Sequence, residues 1–378
     1  MEPAKAAPWL ALASLPDVGA QRFARLVSVF GNPARVFESV GSQELASQKL
    51  PQPASDALED MARNWGGQLG QAPGVAEVVE AAEREGLDVI CLGTAEYPPS
   101  LARIVDPPPV LFRRGPASLE ESAVAIVGSR GATGYGRLMA ERLGFDLARR
   151  GITVVSGLAR GVDGAAHRGA LAAGGKTIGV LGCGVDVVYP LEHRSLMERM
   201  AAEGGLLSEL PPGTLPAPHH FPARNRIISG LCWGVVVVEA GERSGALITA
   251  RLAMEQEREA MAVPGNATSP MSRGPHRLIR EGAALVESAD DVLEALGLKP
   301  GGPELRPAAF AGNRLPSART VDGMERLVLE ALTGQPAGTD DLVAATGLAA
   351  ANVQAALMLL EMRDLATVLP GARYIRKM

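Results

Sequence analysis

Aromatic residues make up only 4% of this 378-residue chain, and histidine occurs five times. Few rings are therefore on offer for stacking on bases. Positive charge is not in excess either, with 37 Lys and Arg against 42 Asp and Glu, a net charge of −5 and a pI near 5.7. That balance argues against a protein that coats nucleic acid by bulk charge, so any anion site must be local. The three cysteines, Cys91, Cys183 and Cys232, lie far apart without a CxxC pair, which suggests neither a zinc site nor a disulfide framework and fits a reducing cytoplasm. No apolar run is long enough to span a membrane. Ala6 to Leu15 has something of a signal-peptide core, but Glu2 in the preceding region and Pro16-Asp17 after it argue against secretion. What is abundant is glycine, with 44 residues, and alanine, a composition suited to close helix-on-sheet packing in two or three domains.

The stretch Val124 to Gly136 organises the rest. Four apolar, mostly β-branched residues predict a buried strand, Gly128-Ser129-Arg130-Gly131 breaks it, and Leu138, Leu143 and Leu147 carry helical spacing. In such a strand–loop–helix turn, backbone N–H groups at the helix start favour anions, and glycine lets a ligand approach the main chain. Neither the GxGxxG of a dinucleotide site nor the GxxxxGK(S/T) of a P-loop is present, so the loop indicates a phosphate or another anion without naming it.

From Ser122 the pattern strand-then-helix repeats, which predicts a parallel α/β sheet with helices on both faces. The expected strands are 124–127, 153–156, 177–181, 206–208, 235–239, 260–263 and 284–286, with a shorter one over 88–92. Such a sheet binds its ligand at the carboxyl ends of the strands, near a switch in strand order. On that edge fall Gly128-Ser129-Arg130, Gly157 to Gly161 with Arg160, Gly182-Cys183-Gly184 with Tyr189 and Arg194 beyond, Phe221 to Arg226, and Glu239 to Gly245. Ser244 precedes the helix 246–256 as an N-cap, making that helix start a second candidate anion site.

Residues 8–65 read as short helices, with Leu15-Pro16-Asp17-Val18-Gly19 as a turn of helix-hairpin-helix type whose Asp17 would repel phosphate. Asp106-Pro107-Pro108-Pro109 reads as part of an extended connector running to Phe112. Residues 298–320 are a proline- and glycine-rich linker. Beyond it, three helices and a hairpin predict a winged helix, although its third helix, 349–361, carries no Lys or Arg, which favours a protein-contact or structural role over duplex reading. The expected domains are thus 1–75 helical, 76–297 α/β, 298–320 linker and 321–378 winged helix.

These motifs together resemble the DNA-processing protein A (DprA/Smf) family of bacteria. The resemblance runs through Tyr97-Pro98, Asp106-Pro107-Pro108, Gly128-Ser129-Arg130, the segment Ser156 to Asp163, His167, Tyr189-Pro190, Ser208-Glu209, the string Phe221 to Ile228, Glu239-Ala240, Ser244 to Thr249 and Pro264-Gly265. It implies an α/β fold: an extended Rossmann-like doubly wound sheet, an N-terminal sterile-alpha-motif-like helical domain and a C-terminal winged helix. It also implies a cytoplasmic protein that binds single-stranded DNA taken up in natural transformation and helps the recombinase RecA load on it. No catalysis, cofactor or metal is implied.

By the same resemblance Arg130 contacts the DNA backbone, within a set of Gly128, Ser129, Arg160, Arg194, Phe221, Arg224, Asn225, Arg226, Ser244 and Gly245. Phe221 can offer a face to a base. Where some members place a basic residue after Tyr-Pro, this chain has Leu191, and Arg194 is the nearest cation. A homodimer is implied through the segment 274–286, with His276, Leu278, Ile279 and Leu285, close to where RecA docks. The rival reading is a nucleotide-cleaving enzyme of the related phosphoribohydrolase type, with Asp163, Glu239 and His167 as acid–base candidates. Against it, the loop Glu239 to Gly245 lacks the Pro-Gly-Gly-x-Gly-Thr pattern of those enzymes.

Overall fold

The computed structural model describes residues 1–119, 122–298, 323–333, 335–362, 365–369 and 373–377. Most of the linker expected over 298–320 lies outside them. The chain divides into two compact units, Met1–Pro307 and Ala308–Met378.

The first unit begins with six helices, α1 (Ala7–Ser14), α2 (Ala20–Phe30), α3 (Pro33–Glu38), α4 (Gln43–Ser47), α5 (Gln52–Trp65) and α6 (Val75–Arg84). Their boundaries follow local chemistry. Phe23, Leu26, Val27 and Phe30 form the buried face of α2, which stops where Gly31 takes a left-handed φ of 74°. Asn32 then caps α3 by accepting from the Ala34 N–H at 2.8 Å, with Pro33 as its first residue. Asp17 closes the α1–α2 turn with a φ of 58°, and its carbonyl accepts from Arg22 at 2.8 Å. These helices share one apolar core with a face of the following sheet, and the Trp9 indole donates to the Leu92 carbonyl at 2.9 Å. The helical segment expected over 1–75 is therefore a layer of the first unit, with no break in packing at its end.

The sheet is built from β1 (Asp88–Cys91), β2 (Val110–Arg114), β3 (Ala123–Val127), β4 (Thr153–Ser156), β5 (Thr177–Val180), β6 (Gly205–Ser208), β7 (Gly234–Val237), β8 (Glu259–Ala262) and β9 (Ala284–Leu285). Their order is β1-β2-β6-β5-β4-β3-β7-β8-β9. The run from β6 to β9 is parallel, while β2 pairs antiparallel with both β1 and β6. Strand β2 is an addition to the sequence reading, which took the proline run for part of a connector reaching Phe112. The prolines end at Pro109, and Val110-Leu111-Phe112 then have free N–H groups and apolar side chains to pair and bury.

Between these strands lie α7 (Pro99–Ala102), α8 (Gly134–Arg149), α9 (Val162–Ala172), α10 (Arg194–Glu203), α11 (His220–Leu231), α12 (Gly245–Glu255), α13 (Arg273–Arg280) and, after β9, α14 (Ala289–Ala295). Alternation along the strands supplies both faces. Val124, Ile126, Val154 and Val236 bury into one layer with α8, α9 and α14, whereas Ala125, Val127, Val155 and Val235 bury into the other with α10, α11 and α12. The chain runs outward from β3 through β4, β5 and β6, then returns to the other side of β3 for β7. The switch in strand order thus falls between β3 and β7.

The second unit holds α15 (Gly323–Ala331), β10 (Ala337–Gly338), α16 (Thr339–Thr346), α17 (Ala350–Met362), β11 (Ala366–Leu369) and β12 (Arg373–Arg376). The strands form an antiparallel sheet in the order β10-β12-β11 beside a core of Val328, Leu332, Leu342, Val353, Leu357 and Leu360. Three helices with this wing are the expected winged helix. Among the described residues of the first and second units, no helix is long and apolar enough to cross a membrane.

Candidate nucleic-acid interface

The carboxyl ends of β3 and β7 open a cleft of about 910 Å³ at the switch point. One wall is main chain and cation: Gly128 to Gly131 after β3, and Gly241, Arg243, Ser244 and Gly245 before α12. The other is apolar, with Pro216, Pro218, Phe221, Pro222 and Ile228, and Tyr189 at its margin. Two packing events fix the first wall. Gly161, at a φ of 76°, lies so close to the Ser129 and Arg130 carbonyls that a β-carbon there would collide with them. Glu239 is the second: its carboxylate accepts from the Thr133 N–H at 2.8 Å and the Thr133 hydroxyl at 2.6 Å, while its carbonyl accepts from Ser129 N–H at 2.6 Å. The acid proposed as a catalytic candidate is thus the clamp that ties the β3–α8 loop to β7. On the α12 side, the Ser244 hydroxyl accepts from Ala246 N–H at 3.3 Å as the N-cap.

Arg130 is exposed, and its guanidinium carbon sits 5.1 Å from the centre of the Phe221 ring, whose other neighbour, Tyr189, lies at a centroid distance of 5.4 Å. Arg243 is exposed as well. Neither arginine has an ion-pair partner among the described residues. Two cations and the amide groups at the start of α12, groups of the kind that pair with anions, thus lie in one cleft.

Arg224 behaves otherwise. It is only 5% exposed, donates to the Gly157 carbonyl at 2.8 Å, to the Val180 carbonyl and, through Nε, to Asn225 Oδ1 at 3.2 Å. Gly157 has no β-carbon because the guanidinium occupies that space. Asp163, also buried, accepts from Gly157 N–H at 3.1 Å and Ala159 N–H at 3.3 Å. Burial pushes its carboxyl upward against the pull of Arg224 and of those amides. Arg224 therefore forms the floor of the cleft and braces the ends of β4 and β5, a correction to its reading as a solvent-facing phosphate contact.

Arg226 lies outside the cleft lining. It pairs with Glu209 at 2.6 Å and Asp106 at 3.0 Å, fastening the Asp-Pro-Pro segment to the end of β6. Two carboxylates and the Ala223 carbonyl take four of its five N–H groups, and it stands outside the cleft, so the sequence expectation of a DNA contact is corrected here too. Arg160 flanks a smaller adjoining cavity with Arg130, Tyr189 and Phe221, and pairs on the surface with Glu192. Arg194 is exposed at the first turn of α10 and does not line the cleft. Thus the cleft gathers Gly128, Ser129, Arg130, Phe221, Arg224, Asn225, Ser244 and Gly245 from the expected set, and adds Arg243 and Tyr189. Arg243 was legible as a cation directly before an N-cap at a strand's carboxyl end; Tyr189 was seen but given no role.

His167 is fully buried, with Nδ1 2.7 Å from the Thr177 hydroxyl, which itself donates to the Val154 carbonyl at 2.7 Å. Nδ1 must then be the donor. Burial, reinforced by His193, Arg224 and Arg168, lowers its pKa to about 3. At the sheet edge, His276 Nε2 lies 3.0 Å from the Gly265 carbonyl, tying α13 to the loop after β8. Leu278 is buried in the core, a correction to its expected place in a self-contact. Ile279 is half-buried, and Leu285, 50% exposed on the edge strand β9, presents the apolar surface.

Comparison with known proteins agrees with this architecture. Residues 88–297 match the family model of DNA recombination-mediator protein A, and residues 313–372 match the DprA winged helix domain. The chain is 44% identical over 226 residues to the DNA processing protein DprA of Bacillus subtilis, covering 59% of this chain and 76% of that one. It is similar to the X-ray structure of DNA processing protein A from Streptococcus pneumoniae, with 33% identity, a TM-score of 0.65 and coverage of 78% of this chain and 97% of the other. A structure of the Helicobacter pylori protein, described in terms of a unique single-stranded DNA binding mode, matches with 29% identity and a TM-score of 0.50 over 56% of this chain and 95% of that one. With a recombination-mediator model matching the residues of the sheet and its cleft, and a DprA winged helix model matching residues later in the chain, the chain belongs to the DNA-processing protein A (DprA/Smf) family.

Proposed function

We propose that this protein binds single-stranded DNA in the cleft between β3 and β7 and acts as a recombination mediator that shelters the strand and loads RecA on it during natural transformation. The observation that carries the reading is the exposed Arg130, without an ion-pair partner among the described residues and held over Phe221, in one cleft with Arg243 and the capped start of α12. A duplex is wide and stiff, whereas a single strand can follow a narrow cleft and turn its bases toward an apolar wall. Few side chains in the cleft can read base edges, so little sequence preference is expected. A homodimer across the β9 edge, with Leu285 near its axis, would hold two clefts on one strand and raise avidity. The titration that tests the reading measures binding of a labelled oligonucleotide by fluorescence anisotropy at increasing salt, single strand against duplex. The reading expects single-strand preference and an affinity that falls with salt; absence of salt-dependent binding overturns it.

A further inference from the structure

We propose that Glu192 is a built-in counter-anion for Arg160, displaced when a strand's phosphate takes its place, so that it holds affinity below what the arginines alone would give; this rests on the single-strand reading of the cleft. Arg160 and Arg130 border one small cavity. Their loops touch, because Gly161 packs directly against the Arg130 carbonyl. Arg130 is exposed to solvent, whereas Arg160 carries Glu192 on its guanidinium fork: Nε donates to Oε1, and Nη2 donates to Oε2 at 3.1 Å. A carboxylate and a phosphate present the same pair of oxygens to that fork, so either one excludes the other. Two other carboxylates near the cleft, Glu239 and Asp163, accept from main-chain N–H groups; Glu192 lies on a cation of the cavity wall.

The loop that carries Arg160 does not need this pair to keep its shape. Leu158 takes a left-handed φ of 54°, which a leucine keeps only where its surroundings over-determine it. They do so here. Arg224 donates to the Gly157 carbonyl at 2.8 Å, Asp163 accepts from the Gly157 and Ala159 N–H groups, and Gly164 N–H donates to the Ala159 carbonyl at 3.1 Å. His193 Nδ1 lies 3.0 Å from the Leu158 carbonyl, so the segment after Tyr189-Pro190 is fastened to the loop without Glu192. With the backbone fixed, the side chains of Arg160, 63% exposed, and Glu192, 48% exposed, can change partners. An exposed ion pair favours its own contact by only about 1.4- to 5-fold. A strand already seated on Arg130 and Arg243 brings its next phosphate to Arg160 at high effective concentration, enough to displace the carboxylate.

The test titrates a labelled oligo-dT strand with the full chain at low and at high salt. Glu192→Gln removes the competing charge, and Glu192→Asp keeps the charge but is one methylene too short to grip the fork. Both should bind the strand more tightly than the unaltered protein, by about 1.4- to 5-fold at low salt. In an Arg160→Ala background Glu192→Asp should change nothing, since no cation is left to release. A gain in Glu192→Gln without one in Glu192→Asp marks plain repulsion by a rim charge and overturns the proposal. So does unchanged or weaker binding by both variants, or a Glu192→Asp gain that persists beside Arg160→Ala; each leaves single-strand binding intact. If the unaltered protein shows no salt-dependent binding, the single-strand reading falls and takes the counter-anion with it. Both side chains lie at the surface, so thermal melts of the variants should match the parent; a melt of Glu192→Gln well below it would make the pair a staple of the loop and overturn the proposal as well.

Discussion

Arg130 and Arg224 line the same cleft, yet their replacement should have opposite consequences. Arg224→Ala removes a guanidinium that satisfies the carbonyls of Gly157 and Val180 at the ends of β4 and β5. Each buried carbonyl left without a donor costs about 1–3 kcal/mol. Asp163, buried beside it, also loses the positive charge that favours its ionised form. Stripping a partner from buried charge costs about 3–5 kcal/mol, so a loss near the middle of these ranges, ~4 kcal/mol, is expected. Against a total stability of roughly 5–15 kcal/mol for a domain, that is a large fraction. Arg130→Ala removes only an exposed side chain and one contact with a ring, worth about 0.5–1 kcal/mol. Urea unfolding followed by circular dichroism measures both, with the midpoint moved far down for Arg224→Ala and little for Arg130→Ala. A native midpoint for Arg224→Ala, together with weakened DNA binding, would refute the assignment of Arg224 to the floor.

Three further outcomes follow from the same structure. His167 is neutral in the fold and charged when unfolded below its ordinary pKa, so stability should fall as pH drops from about 6.5 towards 3, by at most ~1.4 kcal/mol per unit, and His167→Gln should flatten that slope; an equal slope in the variant counts against it. In the proposed homodimer Leu285→Arg would place a charge near its own symmetry copy, so light scattering should report a folded monomer with weaker single-strand binding, and a persistent dimer, or a monomeric parent at micromolar concentration, contradicts the interface. Deleting residues 320–378 should leave single-strand affinity within a few-fold of the full chain, as measured by anisotropy, because the third helix of the winged unit carries no cation; a large loss with the first unit still folded contradicts this.

The parallel sheet was readable because its strands are short, mostly apolar runs set off by glycine and by helical spacing, and their expected ends differ from β3 to β9 by at most two residues. Strand β2 escaped because proline marks a connector without saying where pairing resumes. At the site, sequence placed the loops on the correct edge but could not sort arginines by exposure. Arg224 and Arg226 stand two apart on α11, and what separates them from Arg130 is their partners: Gly157 and Val180 carbonyls for one, Glu209 and Asp106 for the other. Those partners come from segments remote in sequence, so no local pattern encodes them. The same holds for Glu239, whose role as a clamp depends on Thr133, 106 residues away. Leu278 was a different kind of miss, since Gly274, Pro275 and Leu278 at helical spacing mark the inward face of α13.

The central claim is that the cleft grips the strand through Arg130 and Arg243. It is tested most directly by the salt dependence of oligo-dT affinity for the unaltered protein and for the Arg130→Ala/Arg243→Ala double variant. Each phosphate contact contributes about 0.7 to the log–log slope on a single strand, so the double variant should bind more weakly with a slope shallower by about 1.4. Unchanged affinity and slope in a folded double variant would contradict the account.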